Sequence, residues 1–430
     1  MGPNAAGWKR LNLGEVCTLQ RGHDLPSQDR RTGPYPIISS SGVSGHHESF
    51  KAQPPGVVTG RYGTLGKVFY MTEPYWPLNT SLYVVDFKGN DPLFVSYLLR
   101  TVDYYSVSDK SSVPGVNRNH LHGLEVLRPP IHEQRRIASM LSSLDDKIEL
   151  NRKMAKTLEE MAQAIFRSWF VDFDPVIDNA LAAGNPIPEE FQERAKRRQE
   201  ARARAEAEGR PFGLPVEQAK LFPDRFEDSE LGPIPTTWTT GCISQIAELV
   251  RDSVRPDRMG DAILHHFSLP AFDSAKLPTV EPASSIKSNK FRLLDGDVLV
   301  SKLNPHIPRV WYPSVYGGSV SVASTEFLVL RPSARSSTAF VYTFFLLPET
   351  LLAMQSLVNG TSNSHQRIDP SQFMVSQLVV PPDPVQGLFK QNVFGHLERS
   401  RQARAESQTL SVTRDTLLPK LISGEIQVDA

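Results

Sequence analysis

Cysteine is almost missing from this chain: two residues in 430, Cys17 and Cys242, far apart in sequence. That count argues against a disulfide framework or a cysteine-based zinc site, and it fits a reducing cytoplasm. No run of 18 apolar residues occurs, so no transmembrane helix is expected. The opening Met-Gly-Pro-Asn-Ala-Ala-Gly lacks the basic-then-apolar order of a signal peptide. An excess of one charge is also missing, since 47 Lys and Arg balance 47 Asp and Glu. Neutrality excludes a polycation held on DNA by charge alone. It does not exclude a local basic groove. Residues 1–130 carry a net +3, 131–170 +1, 235–380 +1 and 381–430 zero, while the acidic excess of −5 sits in 171–234.

Motifs of a self-contained enzyme are lacking too. The stretch Gly60-Arg61-Tyr62-Gly63-Thr64-Leu65-Gly66-Lys67-Val68 fails as a phosphate loop. Arg61 stands where its first glycine belongs, and Val68 replaces the magnesium-binding hydroxyl. There is no G-x-G-x-x-G, no G-x-S-x-G and no Asn-Pro-Pro-Tyr of an adenine methyltransferase. The pairs His46-His47, His265-His266 and His120-x-His122 have no carboxylate or cysteine at ligand spacing, so hydrogen-bonding roles are favoured over metal. No catalytic residue, cofactor site or metal site is assigned.

What the chain does have is a repeat. Trp8 pairs with Trp238 and Val16 with Ile246 at an offset of 230; Gly56-Val57-Val58 pairs with Gly296-Asp297-Val298 at 240. Asn79–Leu82 pairs with Ser324–Phe327 at 245, and Leu121 with Phe373 and Pro129-Pro130 with Pro381-Pro382 at 252. An offset that only grows is what small insertions in a second copy produce. Each copy reads as short strands such as Val57–Thr59 and Leu82–Val85, or Asp297–Val300 and Phe327–Leu330. One helix follows in each, over about Leu93–Val102 and Ala339–Leu352.

After the first Pro-Pro, Ile137, Leu141, Leu144, Ile148, Asn151, Ala155, Leu158, Ala162, Ile165 and Trp169 alternate spacings of 4 and 3. This is a coiled-coil seam with one polar residue, Asn151, expected to face the partner helix and set register. Residues 131–170 contain no Gly or Pro and would span ~60 Å as a helix. A second helix is predicted from about Val385 to Ile422 on Phe389, Val393, Leu410, Leu417 and Leu421. His396, Ser400, Ser407 and Arg414 weaken its middle, and Pro419 bends or ends it late. Antiparallel pairing of the two is the natural closure. The fold class is thus α+β, two similar mixed α/β domains separated by two long antiparallel helices. Its segments are 1–130, 131–170, a Pro-rich and charged connector 171–234, 235–380 and 381–430. Glu189–Glu208 in the connector reads as a solvated helix.

The chain resembles the DNA-specificity subunit of type I restriction–modification enzymes. The resemblance rests on Pro129-Pro130-Ile131-His132-Glu133-Gln134-Arg135-Arg136-Ile137, Leu141-Ser142-Ser143-Leu144-Asp145-Asp146-Lys147-Ile148, and Leu417-Leu418-Pro419-Lys420-Leu421-Ile422-Ser423-Gly424-Glu425-Ile426. Arg167–Phe173, Phe226–Gly232 and Gly60–Gly66 add to it. Two departures are Val385-Gln386-Gly387 in place of a second Glu-Gln-x-x-Ile, and a long Ala/Arg/Glu insert at 189–208. The resemblance implies two target-recognition domains, each reading half of an asymmetric, bipartite site in double-stranded DNA. It implies helices that act as spacer and as dock for two methyltransferase subunits, which bind S-adenosylmethionine. It also implies motor–nuclease (restriction) subunits that use ATP and magnesium. A rod of ~60 Å can place two domains over grooves a turn or two of ~34 Å apart.

Loops are the expected readers. In the first copy these are Ser39, Ser40, Ser41, His46, His47, Arg61, Tyr62, Lys110, Ser111, Ser112, Asn117 and Arg118. In the second they are Lys302, Asn304, His306, Arg309, Asn359, Thr361, Ser362, Asn363, His365 and Arg367. The competing readings are a helical-stalk adaptor that binds protein and no DNA, and the recognition part of a fused restriction–methylation enzyme, which would need a catalytic half.

Overall fold

The computed structural model describes residues 7–108, 114–315, 318–359 and 366–427. The chain forms two compact units: residues up to Glu149 together with those from Thr409 onward, and Leu150–Gln408.

In the first unit, Lys9–Asn12 pairs antiparallel with Glu125–Arg128. In the second, Thr239–Cys242 pairs with Gln377–Val380, at offsets of 230 and 252 on the two strands. These match the two ends of the ladder read from sequence. A four-stranded sheet follows in each. Its order is Thr18–Arg21, Ser81–Asp86, Gly56–Gly60, Val68–Met71 in one unit. In the other it is Ala247–Leu249, Phe327–Pro332, Val298–Ser301, Val310–Trp311. The β-branched and aromatic residues of the central strands form the core: Val57, Val58, Leu82, Val298, Val300 and Leu328 are all buried. The copies diverge in their second sheet, three-stranded in the first unit and five-stranded in the second.

The helix packed on the first sheet is Pro92–Arg100, with Pro92 in its first turn and Asp91 capping the Phe94 N–H at 2.9 Å. Its counterpart begins with Ser337 capping Phe340 at 3.2 Å. The single helix expected over Ala339–Leu352 is instead two, Thr338–Leu346 and Pro348–Ser356. Pro348 forces Leu347 into extended backbone, ψ 134°, and has no N–H to continue the ladder.

Both long helices are 40 residues, Ile131–Phe170 and Asp383–Ile422. They run antiparallel within each unit: Arg414 pairs with Asp145 in the first, and Arg404 with Glu159 in the second. Every seventh residue of one seam line, Leu141, Ile148, Ala155, Ala162 and Trp169, is buried. On the second helix the polar middle does not weaken the seam by facing water. Ser400 and Ser407 are buried, Ser400 donating to the Ala155 carbonyl at 3.1 Å and Ser407 to Ala403 at 2.9 Å. Pro419 ends nothing at once, since the helix runs to Ile422.

Asn151 is fully buried, and neither its amide oxygen nor its nitrogen has a hydrogen-bond partner among the described residues. It lies one turn before Ala155, so the antiparallel run places it level with the buried Ala403 and Ser407.

The connector helix Glu189–Ala207 is less solvated than its composition suggests. Arg194 and Arg198, four apart, grip Asp174 and Asp178, four apart on the helix Asp174–Ala183. Phe191 meets the rings of Phe173 and Phe226 at 5.5 and 5.2 Å. Matching four-residue spacing on two helices turns charge into a docking face.

Candidate nucleic-acid interface

In the first unit, the glycine-cluster loop leaves the strand Gly56–Gly60 and is laced to the segment after Pro114. Gly63 N–H donates to Pro114 O at 3.0 Å, Val116 N–H to Arg61 O at 2.9 Å, and Tyr62 bridges Gly115. A Cβ on Gly60 would stand 1.8 Å from the Thr64 carbonyl oxygen, so this turn closes only with glycine. Arg61 and Tyr62 share a cleft of about 380 Å³ with Asn117, Arg118 and Arg21. The expected residues Arg61, Tyr62, Asn117 and Arg118 are therefore brought together. Arg21, at a strand end 40 positions upstream, completes them and was not anticipated; a lone Arg after a short strand carries no motif.

Ser39, Ser40 and Ser41 form the turn between Tyr35–Ser39 and Gly42–His47. Ser39 Oγ donates to Gly42 O at 2.9 Å and lies 3.0 Å from Ser41 Oγ. Ser40 borders the glycine cluster, 3.3 Å from the position a Gly60 Cβ would take. His46 is exposed. His47 is not: it is buried, edge-on to Trp76 at 5.0 Å, with ring nitrogens on Ser49 and the Asp29 carbonyl. It holds the hairpin and presents nothing outward. Lys110, Ser111 and Ser112 lie outside the described residues.

The second unit repeats the lacing with different side chains. Asn304 N–H donates to Gln366 O at 2.8 Å, Ile368 N–H to Lys302 O at 3.0 Å, and Leu303 bridges Arg367. Tyr62 over Gly115 thus has Leu303 over Arg367 as its counterpart. Asn304 sits in left-handed backbone, φ 50°, and its amide oxygen is buried with no partner among the described residues. Arg367 is clamped by Glu326 at 3.0 and 3.2 Å, and Arg309 by Asp273 at 2.6 and 2.7 Å. Both guanidiniums expected as readers are committed to carboxylates. His306 is exposed. Asn359 pairs its backbone with Arg367, its side chain lying outside the description, as do Thr361, Ser362, Asn363 and His365.

His122 and His266 have structural partners. His122 Nε2 accepts the Leu19 N–H at 2.9 Å; burial, then the charges of Arg118 and Lys88, push its pKa below the ordinary histidine value. His266 lies 2.8 Å from Glu281 and is pushed down chiefly by burial. Among the described residues no group of three His, Cys, Asp or Glu is gathered as a metal site. No helix among them is long and apolar enough to cross a membrane.

Two copies of one α/β fold, each lacing two segments by the same backbone pattern and each completed by both long helices, define a duplicated α+β architecture. Comparison with known proteins narrows that class. The family described as "Type I restriction modification DNA specificity domain" matches residues 6–160. The type I restriction enzyme HindI specificity subunit of Haemophilus influenzae is 24% identical over 381 residues, covering 81% of both chains. The MjaIX specificity subunit of Methanocaldococcus jannaschii is 22% identical over 353 residues, 78% of this chain and 69% of that one. The crystal structure of the type I restriction–modification S subunit of M. genitalium shares the fold, with TM-score 0.56, 14% identity and 98% coverage of each chain. Residues 6–160 thus match the specificity-domain family, and over most of its length the chain is similar to specificity subunits of type I restriction enzymes.

Proposed function

We propose that this chain is the DNA-reading, non-catalytic subunit of a type I restriction–modification complex, recognising a bipartite, asymmetric site and directing adenine methylation and restriction by its partners. The observation that carries the reading is the paired loop edge, built on the same backbone lacing in both units yet furnished with unlike side chains. Recognition is assigned to domains 1–130 and 235–380, spacing to 131–170 and 381–430, with 171–234 as connector. Two methyltransferase subunits holding S-adenosylmethionine dock on the helices, and motor–nuclease subunits supply ATP- and magnesium-dependent cleavage, in the cytoplasm. In the first domain the base and phosphate contacts come from Arg61, Asn117 and Arg118 with Ser40, Ser41 and His46, and Tyr62 positions Arg61. In the second they come from Lys302, Asn304 and His306 with Asn359, Thr361, Ser362, Asn363 and His365. A gel shift of the chain with its methyltransferase partner tests this: a specific duplex should survive heparin competition that strips random duplex. Equal loss of both favours the protein-binding adaptor instead.

A further inference from the structure

Within the cleft of the first unit, the three guanidiniums are not held alike. Arg61 has its guanidinium carbon 4.6 Å from the centre of the Tyr62 ring. Its two terminal nitrogens touch the Asn79 carbonyl at 3.5 Å and the Tyr62 hydroxyl at 3.4 Å. Its backbone is tied at both ends, N–H to Thr80 O at 2.9 Å and C=O to Val116 N–H at 2.9 Å. The Tyr62 ring in turn occupies the space beside Gly115, where a Cβ would stand 2.3 Å from its Cε1. Glycine at 115 is what lets the ring lie there. Arg61 thus has a fixed plane, no carboxylate partner among the described residues, and N–H groups left for the cleft. Arg21 is different, half exposed and paired with Asp24 at 3.3 Å. Arg118 is exposed, with no ion pair among the described residues.

We infer that Arg61, stacked on Tyr62 over Gly115, reads a guanine in the first half-site, while Arg21 and Arg118 hold backbone phosphate. This rests on the DNA-reading function proposed above. A planar fork of fixed orientation matches two coplanar acceptors, and the O6 and N7 of guanine in the major groove are such a pair. A phosphate accepts from many directions and selects no plane, so it suits side chains free to turn. Tyr62 and Gly115 are positioning residues: they fix the plane and touch no base. The second unit has Leu303 where Tyr62 stands and its Arg367 neutralised by Glu326, so it cannot present the same fork.

The test uses the assembled complex of full-length chain and methyltransferase partner, binding a randomised duplex library whose bound fraction is sequenced. Arg61→Ala should abolish preference for guanine at one position of the first half-site, a loss of discrimination on the order of tenfold or more. The second half-site and the spacing should persist, which reports that the variant is folded. Tyr62→Phe should keep the guanine, because the ring remains; Tyr62→Ala and Gly115→Ala should relax the same position as Arg61→Ala. Arg21→Ala and Arg118→Ala should weaken all sequences alike and lower the salt dependence by about one counterion each. If Arg61→Ala behaves as these two do, Arg61 is a phosphate contact and the inference is overturned. An intact guanine preference in Arg61→Ala also overturns it. Wild-type complex that selects no sequence overturns the underlying function instead.

Discussion

Glu159 on the first long helix is the most demanding point of the second unit. Its carboxylate accepts from Tyr342 Oη at 2.8 Å, Arg404 Nη2 at 2.9 Å and Lys276 Nζ at 3.3 Å. One residue thereby joins the second α/β domain, through Lys276 and Tyr342, to both long helices. Its side chain is 14% exposed and that of Lys276 13%. Burial alone would raise the Glu159 carboxyl, but the charges of Lys276 and Arg404 and the Tyr342 hydroxyl hold it below the usual range. Burial pushes Lys276 down to about 8 against the pull of Glu159. Glu159→Gln keeps the shape and leaves two buried cations without their anion, a loss of about 3 kcal/mol. For a unit of this size that is a fall of about 6–12 °C in Tm. Calorimetry of the full chain reads the shift, and hydrogen exchange of peptides within 150–408 locates it. A depressed carboxyl stabilises above its unfolded pKa and stops doing so as pH falls through the folded one. The gap between wild type and variant should therefore close in acid. Lys276→Met added to Glu159→Gln should recover part of the loss. A fall of less than 2 °C at neutral pH, or a gap that does not close in acid, would refute the reasoning.

Three further outcomes are expected. Asn151→Leu should raise stability by about 1–2 kcal/mol in urea unfolding, since it removes a buried amide with two unpaired atoms; a loss of stability would mean the amide is satisfied in solution. Gln134→Ala should cost more than Gln386→Ala. Gln134 bonds Pro129 O, Asn90 and the Asp91 N–H, whereas among the described residues Gln386 bonds only Pro381 O and leaves its oxygen unpaired; equal urea midpoints would contradict this. Replacing residues 1–130 by another family member's first domain should change one half of the recognised sequence and leave the other half and the spacing, as read by methylation mapping. A change in both halves would contradict it.

The repeat was legible because Trp8 and Trp238, the Pro-Pro stops and the strand-forming Val and Leu runs keep their order. The helices were legible because a seam of period 3.5 needs no knowledge of what it packs against. Gln386 shows where reading by pattern falls short. Its Glu-Gln-x-x-Ile context is lost, yet it donates to Pro381 O at 3.0 Å as Gln134 does to Pro129 O at 2.9 Å. A hydrogen bond to a backbone oxygen five residues back survives when the neighbours change. The broken helix at Pro348 was available to sequence and was overridden by the long apolar run around it. The commitment of Arg309 to Asp273 and Arg367 to Glu326 was not available, because partners 36 and 41 residues away carry no local signal. Arg21 was missed for the same reason: its place in the cleft is set by sheet order, Thr18–Arg21 lying beside Ser81–Asp86.

The most direct measurement is sequencing of modified bases in DNA from a host carrying this chain with its methyltransferase and restriction partners. The account predicts methylated adenines within two unlike half-sites at one fixed spacing, lost when this chain is deleted. A palindromic or uninterrupted site, or methylation that persists at the same sequence without this chain, would contradict it.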